Sequence, residues 1–452
     1  MFKKKNSSTE TIYGEVWSKG DIFTKLSFFI LGISQLKNKQ WLKGLIFLIA
    51  EIGFFVWLIF NGFHAISMLR TLGTNTKAKT VFDEAQGVYV QKAADNSMLF
   101  LLFGILALIV IVLFVVFYFI TLKSTRHLYD LNKANKHVPT TREDLASLLN
   151  ERLHATLMAI PLLGVLLFTI LPILYMISIA FTNFDSEHQF PGNSFTWIGL
   201  QNFADVLTGR IAGTFFPILL WTIIWAIAAT ATTFFFGVLL AILIESKGIK
   251  FKSFWRIVFV TVFAVPQFVS LLMMHQFLDK NGALNTLLQN LGWVKTYLPF
   301  FSDPMWARVT VITVNMWIGI PVSMLVSTAI IQNLPQDQIE AARIDGASTL
   351  QIFRKITFPQ ILFVMSPALI QQFIGNINNF NVIYLLTGGG PNGFGNYYQA
   401  GSTDLLVTWL YRVTMMNQKQ YNLGSVIGIM IFILSAVISL IAYRRTNAFK
   451  EG

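Results

Sequence analysis

Long apolar stretches alternate with shorter polar segments along this chain. A helix needs about 20 apolar residues to cross the hydrocarbon core of a bilayer, and eight stretches approach or exceed that length. They lie near residues 44–62, 99–121, 156–181, 214–244, 255–278, 305–331, 362–386 and 421–443. The stretch at 22–33 is too short to span and carries Lys25, which favours a helix in the membrane interface. The pattern predicts an all-α integral membrane protein with eight transmembrane helices.

The polar segments divide the chain into regions of different character. A basic link with Pro139 inside it separates the first two spans from the last six. We expect an N-terminal segment with the interfacial helix (1–43), a two-span hairpin (44–121), the link (122–154), a six-helix core (155–446) and a tail (447–452). The segment 63–97, between the first two spans, has no strong turn signals and is expected to form a small helical cap.

The segment at 334–359, LPQDQIEAARIDGASTLQIFRKITFP, is polar and helical, and it lies between two strongly apolar spans. Pro335 is typical of a helix start, and Gly346 is typical of a helix end. Ser348 or Thr349 can then cap a second helix. The segment therefore predicts a helix–turn–helix held at one face of the membrane.

Composition supports the membrane assignment, and the placement of charge gives it an orientation. Hydrophobic residues make up 54% of the chain and charged residues 12%. The net charge of +12 would suit a nucleic-acid partner, but 24 Lys and Arg lie in the loops of one side and 9 in those of the other. Because positively charged loops stay in the cytoplasm, we expect both termini and 334–359 there, and no nucleic-acid partner. The start of the chain leads us to expect no cleaved signal peptide.

No catalytic or metal-binding arrangement is recognisable in the sequence. The chain has no Cys, and its six His residues lack the paired spacing of a zinc site. The Gly-rich run at 388–395 lacks the Lys-Ser/Thr pair of a phosphate-binding loop. We therefore expect neither an enzyme nor a cofactor or metal bound by this chain.

The predicted seventh span carries an unusual cluster of amides. The run QQFIGNINNFN (371–381) places six of them in eleven residues. Gln372, Asn376 and Asn379 follow one another at helical spacing, on one face. Amides in hydrocarbon need partners, so they either line a polar path or join helices by hydrogen bonds. We favour the first, because amides suit the hydroxyls of a neutral sugar.

The predicted fifth and sixth spans offer matching surfaces. In NMWIGIP (315–321), Gly319 permits close approach, and Trp317 can stack on a pyranose ring or simply pack against a neighbour. In the fifth span Pro266 interrupts the helix, and Gln267 is polar within the membrane.

Several motifs resemble those of one known family. Glu340, Ala341 and Ala342, followed after three residues by Gly346, resemble the EAA loop of ABC importer permeases, whose short helix docks into a separate ATPase subunit. Phe358 stands where that family usually has Leu. The runs WRIVFVTVFAVPQFVSLLM (255–273), FFSDP (300–304), NMWIGIP (315–321), NNFNVIYLLTGGGP (378–391) and AGSTDLLVTWLYR (400–412) resemble carbohydrate ABC importer permeases of the MalF-type maltose/maltodextrin family. The resemblance covers roughly residues 156–446.

The resemblance implies a sugar site midway through the bilayer. The positions that correspond to substrate-binding residues are Trp317, Ile318, Gly319, Asn376 and Asn379, together with Phe263 and Gln267, where maltose subunits have Tyr and Ser. Val322 also replaces a Tyr, and these departures leave the exact sugar open. Gln372 joins the predicted site through its place on the amide face.

The resemblance also implies contact with the ATPase. The corresponding residues are Glu340, Ala341, Ala342, Asp345 and Gly346. Glu340 could instead be only a favourable charge at a helix start.

As a member of this family, the chain would be the permease subunit of an ATP-driven importer of maltose/maltodextrin-type oligosaccharides in the cell membrane. Its implied partners are a second homologous permease subunit, an ATPase homodimer that binds ATP and Mg, and an extracytoplasmic sugar-binding protein. The outer loop between the third and fourth spans is too short for the folded docking domain of some maltose subunits. Docking is therefore expected at 63–97 and 387–420.

Three other functions remain open at this point. The first is a permease for a different sugar, a polyol or glycerol phosphate, although the proposed path lacks the paired Arg or Lys that a phosphate needs. The second is a proton-coupled secondary transporter, which needs an intramembrane acid that spans three to eight essentially lack. Glu51, in the first span, is expected to be structural. The third is a scaffold, which leaves the amide run unexplained.

Overall fold

A computed structural model of the chain describes residues 12–84, 87–246, 248–391, 400–416 and 419–445. Within these ranges the chain is mostly helical. Seven helices are long and apolar enough to cross a membrane, and one bent pair brings the number to eight. The predicted all-α membrane architecture is therefore confirmed. The chain forms two compact units, residues 1–197 and residues 198–452.

The first unit holds three spans in its described part. In chain order its elements are α1 (Ile12–Lys19), α2 (Ile22–Leu26), α3 (Ile33–Lys37), α4 (Trp41–Trp57), a π-helical turn (Leu58–Gly62), α5 (Phe63–Thr71), β1 (Lys79–Asp83), β2 (Val88–Lys92), α6 (Ser97–Lys133), α7 (Thr141–Ser147), α8 (Leu153–Val165), a second π-helical turn (Leu166–Ile170) and α9 (Leu171–Ile179). The spans are Trp41–Thr71, Ser97–Lys133 and Leu153–Ile179. The third span thus lies in the first unit, and the expected domain boundary at 155 stays a prediction.

The expectation of a small helical cap at 63–97 is wrong. After α5 the chain forms an antiparallel hairpin, with Lys79 opposite Lys92 and Asp83 opposite Val88. The strands KTVFD and VYVQK are rich in β-branched and aromatic residues, which suit a pleated ribbon better than a helix. The base of this hairpin is held by Asp95, whose Oδ2 accepts the backbone N–H of Thr74 at 2.8 Å and of Asn75 at 2.9 Å.

The start of the first unit contains the buried acid noted in the sequence. Glu51 is 8% exposed, and its Oε2 accepts the backbone N–H of Leu31 at 2.7 Å. This bond holds the turn between α2 and α3, so the contact has the structural character expected of Glu51. Within the stretch 22–33, predicted as one interfacial helix, α2 covers Ile22–Leu26, a turn follows, and α3 begins at Ile33.

The second unit carries the remaining spans. In chain order its elements are α10 (Gln201–Leu207), α11 (Ala212–Glu245), α12 (Lys252–Val260), a 3-10 turn (Thr261–Ala264), α13 (Gln267–Leu278), α14 (Ala283–Asn290), α15 (Pro304–Gln332), α16 (Gln336–Ile344), α17 (Thr349–Ile352), a π-helical turn (Phe353–Thr357), α18 (Phe358–Ile377), α19 (Phe380–Thr387), α20 (Leu406–Met415) and α21 (Tyr421–Arg445).

Two predicted spans are broken helices. The fifth bends by 90° between Lys252–Ala264 and Gln267–Asn290. Pro266 sits at this bend, where its missing N–H removes a helical hydrogen bond. The seventh, predicted as one helix over 362–386, ends instead at Ile377 and resumes at Phe380.

The centre of the second unit is the packing of α11 against α15. A Cβ added to Gly319 would lie 2.7 Å from Thr233 Cγ2, and one added to Gly237 would lie 2.4 Å from Ser323 Cβ. Glycine at these two positions therefore lets the helices approach closely. A buried cluster that includes Trp225, of α11, extends this core towards α13 and α19.

Candidate binding site and coupling loop

The centre of the candidate site is the break between α18 and α19. Asn379 caps α19, because its Oδ1 accepts the backbone N–H of Val382 at 3.3 Å. Asn378 Nδ2 donates back to the carbonyl of Ile374 at 3.1 Å. The Asn379 side chain satisfies a backbone donor at the start of α19, and the Asn378 side chain adds a second bond to the Ile374 carbonyl, which also accepts the Asn378 backbone N–H. These bonds stabilise the break within a span.

Asn376 faces the core of the second unit. It is 6% exposed, and its Nδ2 donates to Thr230 Oγ1, on α11, at 2.9 Å. Its carbonyl accepts Trp225 Nε1 at 3.0 Å. Asn376 therefore joins α18 to α11, as the interhelical interpretation of the amides predicts.

Two further amide pairs join the broken span to its neighbours. Asn379 Nδ2 donates to Asn315 Oδ1, on α15, at 3.3 Å. Asn381 Nδ2 donates to Gln267 Oε1, on α13, at 3.3 Å, and both side chains are exposed. Since α18 ends before Asn379, the expected single face of Gln372, Asn376 and Asn379 does not form.

Three of the predicted site residues have exposed side chains. Trp317 is 41% exposed and Phe263 is 48% exposed. Gln267 is also exposed, whereas Ile318, Gly319 and Gln372 are half-buried. The two amide pairs thus link Asn379 to α15 and Gln267 to α19, while Asn376 and Gly319 face α11 instead.

A buried charged cluster, not identified from the sequence, lies in the loop before α20. Asp404 is fully buried. Its carboxylate accepts a hydrogen bond from the backbone N–H of Gly401 at 2.7 Å and another from the Thr408 hydroxyl at 3.0 Å. Arg412 Nη2 lies 3.3 Å from its Oδ2. Burial raises the pKa of the Asp404 carboxyl above its ordinary value, and the Arg412 guanidinium opposes this rise.

Arg308 ties the same loop to two helices. Its Nε donates to the carbonyl of Ser402 at 3.0 Å, and its guanidinium lies 4.6 Å from the centre of the Trp221 ring. The sequence signal for this role was a lone Arg inside an apolar stretch. Together these contacts hold the residues from Gly401 to Asp404, directly before α20.

The predicted helix–turn–helix at 334–359 is confirmed. Gly346 has a φ of +80° and ends the turn after α16, and Ser348 and Gln351 form a capping box at α17. The predicted coupling residues Glu340, Ala341, Asp345 and Gly346 are exposed, and Ala342 is half-buried. Ile344 is 86% exposed, although it is apolar.

Across the described residues, no group of three or more His, Asp or Glu could hold a metal ion. The residues at the break offer hydrogen-bonding amides, and Trp317 on α15 and Phe263 before α13 offer exposed aromatic rings. This combination suits a neutral polyhydroxylated ligand.

Comparison with known proteins extends this picture to most of the chain. The family model described as "Binding-protein-dependent transport system inner membrane component" matches residues 233–449. The galactooligosaccharides transport system permease protein GanP of Bacillus subtilis (strain 168) is 36% identical over 428 residues, which cover 93% of this chain and 97% of that protein. The maltodextrin transport system permease protein MalC of Streptococcus pneumoniae serotype 4 is 35% identical over 431 residues, which cover 93% and 94%.

The fold is also similar to that of solved transporter structures. A chain of a bacterial ABC transporter involved in the import of the acidic polysaccharide alginate superposes with a TM-score of 0.54 at 22% sequence identity. The match covers 67% of this chain and 98% of that chain.

Proposed function

Because the chain belongs to the family of binding-protein-dependent transport system inner membrane components, we propose that it is the permease subunit of an ATP-driven importer of maltodextrin-type oligosaccharides. The observation that carries this proposal is the 35% identity to a maltodextrin permease over 93% of the chain. The relative named for galactooligosaccharides is similar to the same extent. Both relatives favour an oligosaccharide over a proton-coupled solute or a scaffold.

The sugar binds beside the break between α18 and α19. Trp317 offers an apolar face to a pyranose ring, and Phe263 offers a second aromatic surface. Gln267 and Asn379 supply amide donors and acceptors for hydroxyls, and Asn381 adds another. Broken helices are a common way for transporters to present polar groups within the membrane.

The other predicted site residues do not contact the sugar but position the helices that carry the contact residues. Asn376 and Gly319 hold α18 and α15 against α11, while Ile318 and Gln372 border the contact residues. A change in these residues would move the site without removing a sugar contact.

The segment 334–359, which we call the coupling loop, connects the permease to ATP hydrolysis. ATP and Mg bind to a separate ATPase homodimer, and this chain is not itself an enzyme. Glu340, Asp345 and Ile344 present the exposed charge and apolar surface that dock there, on α16 and the turn at Gly346. A second homologous permease subunit completes the complex in the cell membrane, with both termini of this chain in the cytoplasm.

The hairpin β1–β2 is the docking surface for the extracytoplasmic binding protein. Val81, Phe82, Val88, Tyr89 and Val90 are all between 42% and 74% exposed. An isolated two-stranded ribbon with apolar residues exposed on both faces is marginally stable and has unpaired edges, so it needs a partner. This surface takes the place of the larger docking domain that the short outer loop between the third and fourth spans lacks.

The proposed function is tested by measuring ATP hydrolysis of the complex reconstituted with its partners. We expect maltose or longer maltodextrins, delivered by the binding protein, to stimulate hydrolysis. Stimulation by galactooligosaccharides alone would retain the transporter and change its substrate. No stimulation by any oligosaccharide in an assembled complex would contradict the proposal.

A further inference from the structure

We propose that Glu245 is a positioning residue that links the coupling loop to the broken fifth span. The inference rests on the proposed function, because it assigns a route for the movement that ATP binding starts. Glu245 is the last residue of α11, the central helix of the second unit. Its side chain is only 14% exposed.

Donors from two other helices converge on the Glu245 carboxylate. Arg256 Nη2, on α12, lies 2.9 Å from Oε1, and Gln332 Nε2, on α15, lies 3.2 Å from the same oxygen. Lys252 Nζ lies 3.3 Å from Oε2 and also donates to the Glu245 carbonyl at 2.7 Å. Because the carboxylate is mostly buried, salt screens these ion pairs less than it screens surface pairs.

The helices that supply these donors lead to the two functional regions. Gln332 is the last residue of α15, and a short turn connects it to α16 of the coupling loop. Arg256 lies on α12, which leads directly to Phe263 and the bend at Pro266. One carboxylate therefore contacts both the element before the coupling loop and the element before the candidate site.

An apolar cluster that includes Ile244, the neighbour of Glu245 in the chain, also connects α11, α12 and α15. Met324 of α15 and Ile244 of α11 form a buried cluster, against which Phe259 of α12 packs. Ile331 packs against this cluster and also against a second buried cluster, and Phe358 of the coupling loop packs against that second cluster too. Close-packed clusters transmit small displacements, so a shift of the coupling loop reaches α12 through packing as well as charge.

Glu245 is the main partner of the Arg256 guanidinium. Its Nε is buried and has no hydrogen-bond partner within the described ranges, so the guanidinium depends on Glu245. Removing the carboxylate would leave a partly buried positive charge without its partner, which is costlier than removing both groups. Loss of Glu245 and loss of Arg256 should therefore not be additive.

The test compares Glu245→Gln, Arg256→Gln and the double variant in the reconstituted complex. We expect each single variant to assemble normally and to lose about tenfold in both sugar uptake and sugar-dependent stimulation of ATP hydrolysis, because both rates depend on the same contacts between the coupling loop and the fifth span. The sugar concentration for half-maximal stimulation should not change, since the contact residues are intact. The double variant should be no worse than either single variant. Lys250→Ala removes an exposed charge from the loop between α11 and α12. It is the matched control and should behave as wild type.

A conformational reporter separates coupling from simple stability. The chain has no Cys, so Ala264→Cys places one thiol in the turn that follows α12. Its labelling rate should change when ATP and vanadate are added, and Glu245→Gln should abolish that change while basal ATP hydrolysis persists.

Three results would overturn the inference. They are wild-type uptake in Glu245→Gln, additive losses in the double variant, and an unchanged nucleotide response of the reporter. If Glu245→Gln fails to assemble, Gln332→Ala decides: we expect about a threefold loss of stimulation from removing one hydrogen bond, and wild-type stimulation would overturn the link. Failure of the proposed function is distinguishable, because then the wild-type complex itself would not respond to sugar.

Discussion

The amides between 371 and 381 serve two purposes that composition cannot separate. Asn376 is buried in an interhelical contact, whereas Asn381 is exposed and paired with Gln267. Asn379 combines the two roles: it caps α19 and contacts Asn315, and because it is only half-buried, part of its side chain is accessible. The same side-chain chemistry thus supports the fold at one position and faces the proposed path at another.

We expect Asn376→Ala and Asn381→Ala to fail in different ways. The first removes a buried interhelical bond and should lower stability by about 1 kcal/mol, with less folded protein in the membrane. The second should leave stability unchanged and raise the sugar concentration for half-maximal stimulation by up to about tenfold, the value of one hydrogen bond. Thermal unfolding in detergent and the titration of ATP hydrolysis measure the two effects.

Asn379→Ala should show both losses. Asn290→Ala, an exposed amide at the end of α14, is the control for both measurements. An equal shift in half-maximal concentration for Asn376→Ala and Asn381→Ala would contradict the division of roles.

At the scale of elements, the coupling loop is held by local features. The turn at Gly346 needs a left-handed backbone, and nothing lies within 4 Å of the position that a Cβ would occupy there. The glycine is therefore required for its backbone conformation and not for space. The capping box of Ser348 and Gln351 then starts the next helix.

We expect Gly346→Val to abolish transport while the protein remains in the membrane. A β-branched residue in this conformation costs at least about 1–2 kcal/mol, so the turn between α16 and α17 should change its geometry. Gly346→Asn is the matched variant, because Asn tolerates the left-handed region, and it should retain most uptake. Uptake and the amount of protein in the membrane fraction are measured together. Wild-type uptake by a normally expressed Gly346→Val variant would count against this role.

The elements that could be predicted from the sequence are those fixed by local chemistry. The spans follow from apolar length, and the coupling loop follows from Gly346 and Ser348. The hairpin at 79–92 could not be predicted as readily, because its register depends on pairing between strands that have few turn residues between them. The bond from Arg308 to Ser402 joins residues 94 positions apart, so no local pattern predicts it. Asp404 contacts Gly401, Thr408 and Arg412, which are near it in the chain, but its complete burial depends on the tertiary fold.

At the scale of the whole molecule, the proposed docking surface is the hairpin of the first unit. Bonds from loop 190–194 tie down the base of the hairpin: Ala78 N–H donates to the carbonyl of Gly192 at 2.8 Å, and Ala94 N–H to that of Pro191 at 3.0 Å. The base is therefore fixed, while both faces of the ribbon stay exposed. A firm base with an apolar ribbon is suited to binding a partner with little loss of conformational freedom.

We expect Tyr89→Ser to weaken activation by the binding protein. Tyr89 is 74% exposed, so the change should leave the fold intact and raise the binding-protein concentration for half-maximal ATP hydrolysis by about tenfold or more, as for an aromatic interface residue. The sugar affinity of the binding protein itself is the control.

Glu84→Cys should react with a membrane-impermeant maleimide in intact cells, which checks that the hairpin is outside. Labelling only after cell lysis, or unchanged activation in Tyr89→Ser, would contradict this docking surface.

The 90° bend at Pro266 also sets the scale of motion in the fifth span. The arm from Lys252 to Ala264 is about 20 Å long at the usual rise of helical residues, and the bend has no continuous ladder of hydrogen bonds to resist rotation. A rotation of about 10° at the bend would then carry the far end of the arm about 3 Å, which is the length of one hydrogen bond. An angular change too small to alter the fold is thus large enough to exchange one set of polar contacts for another.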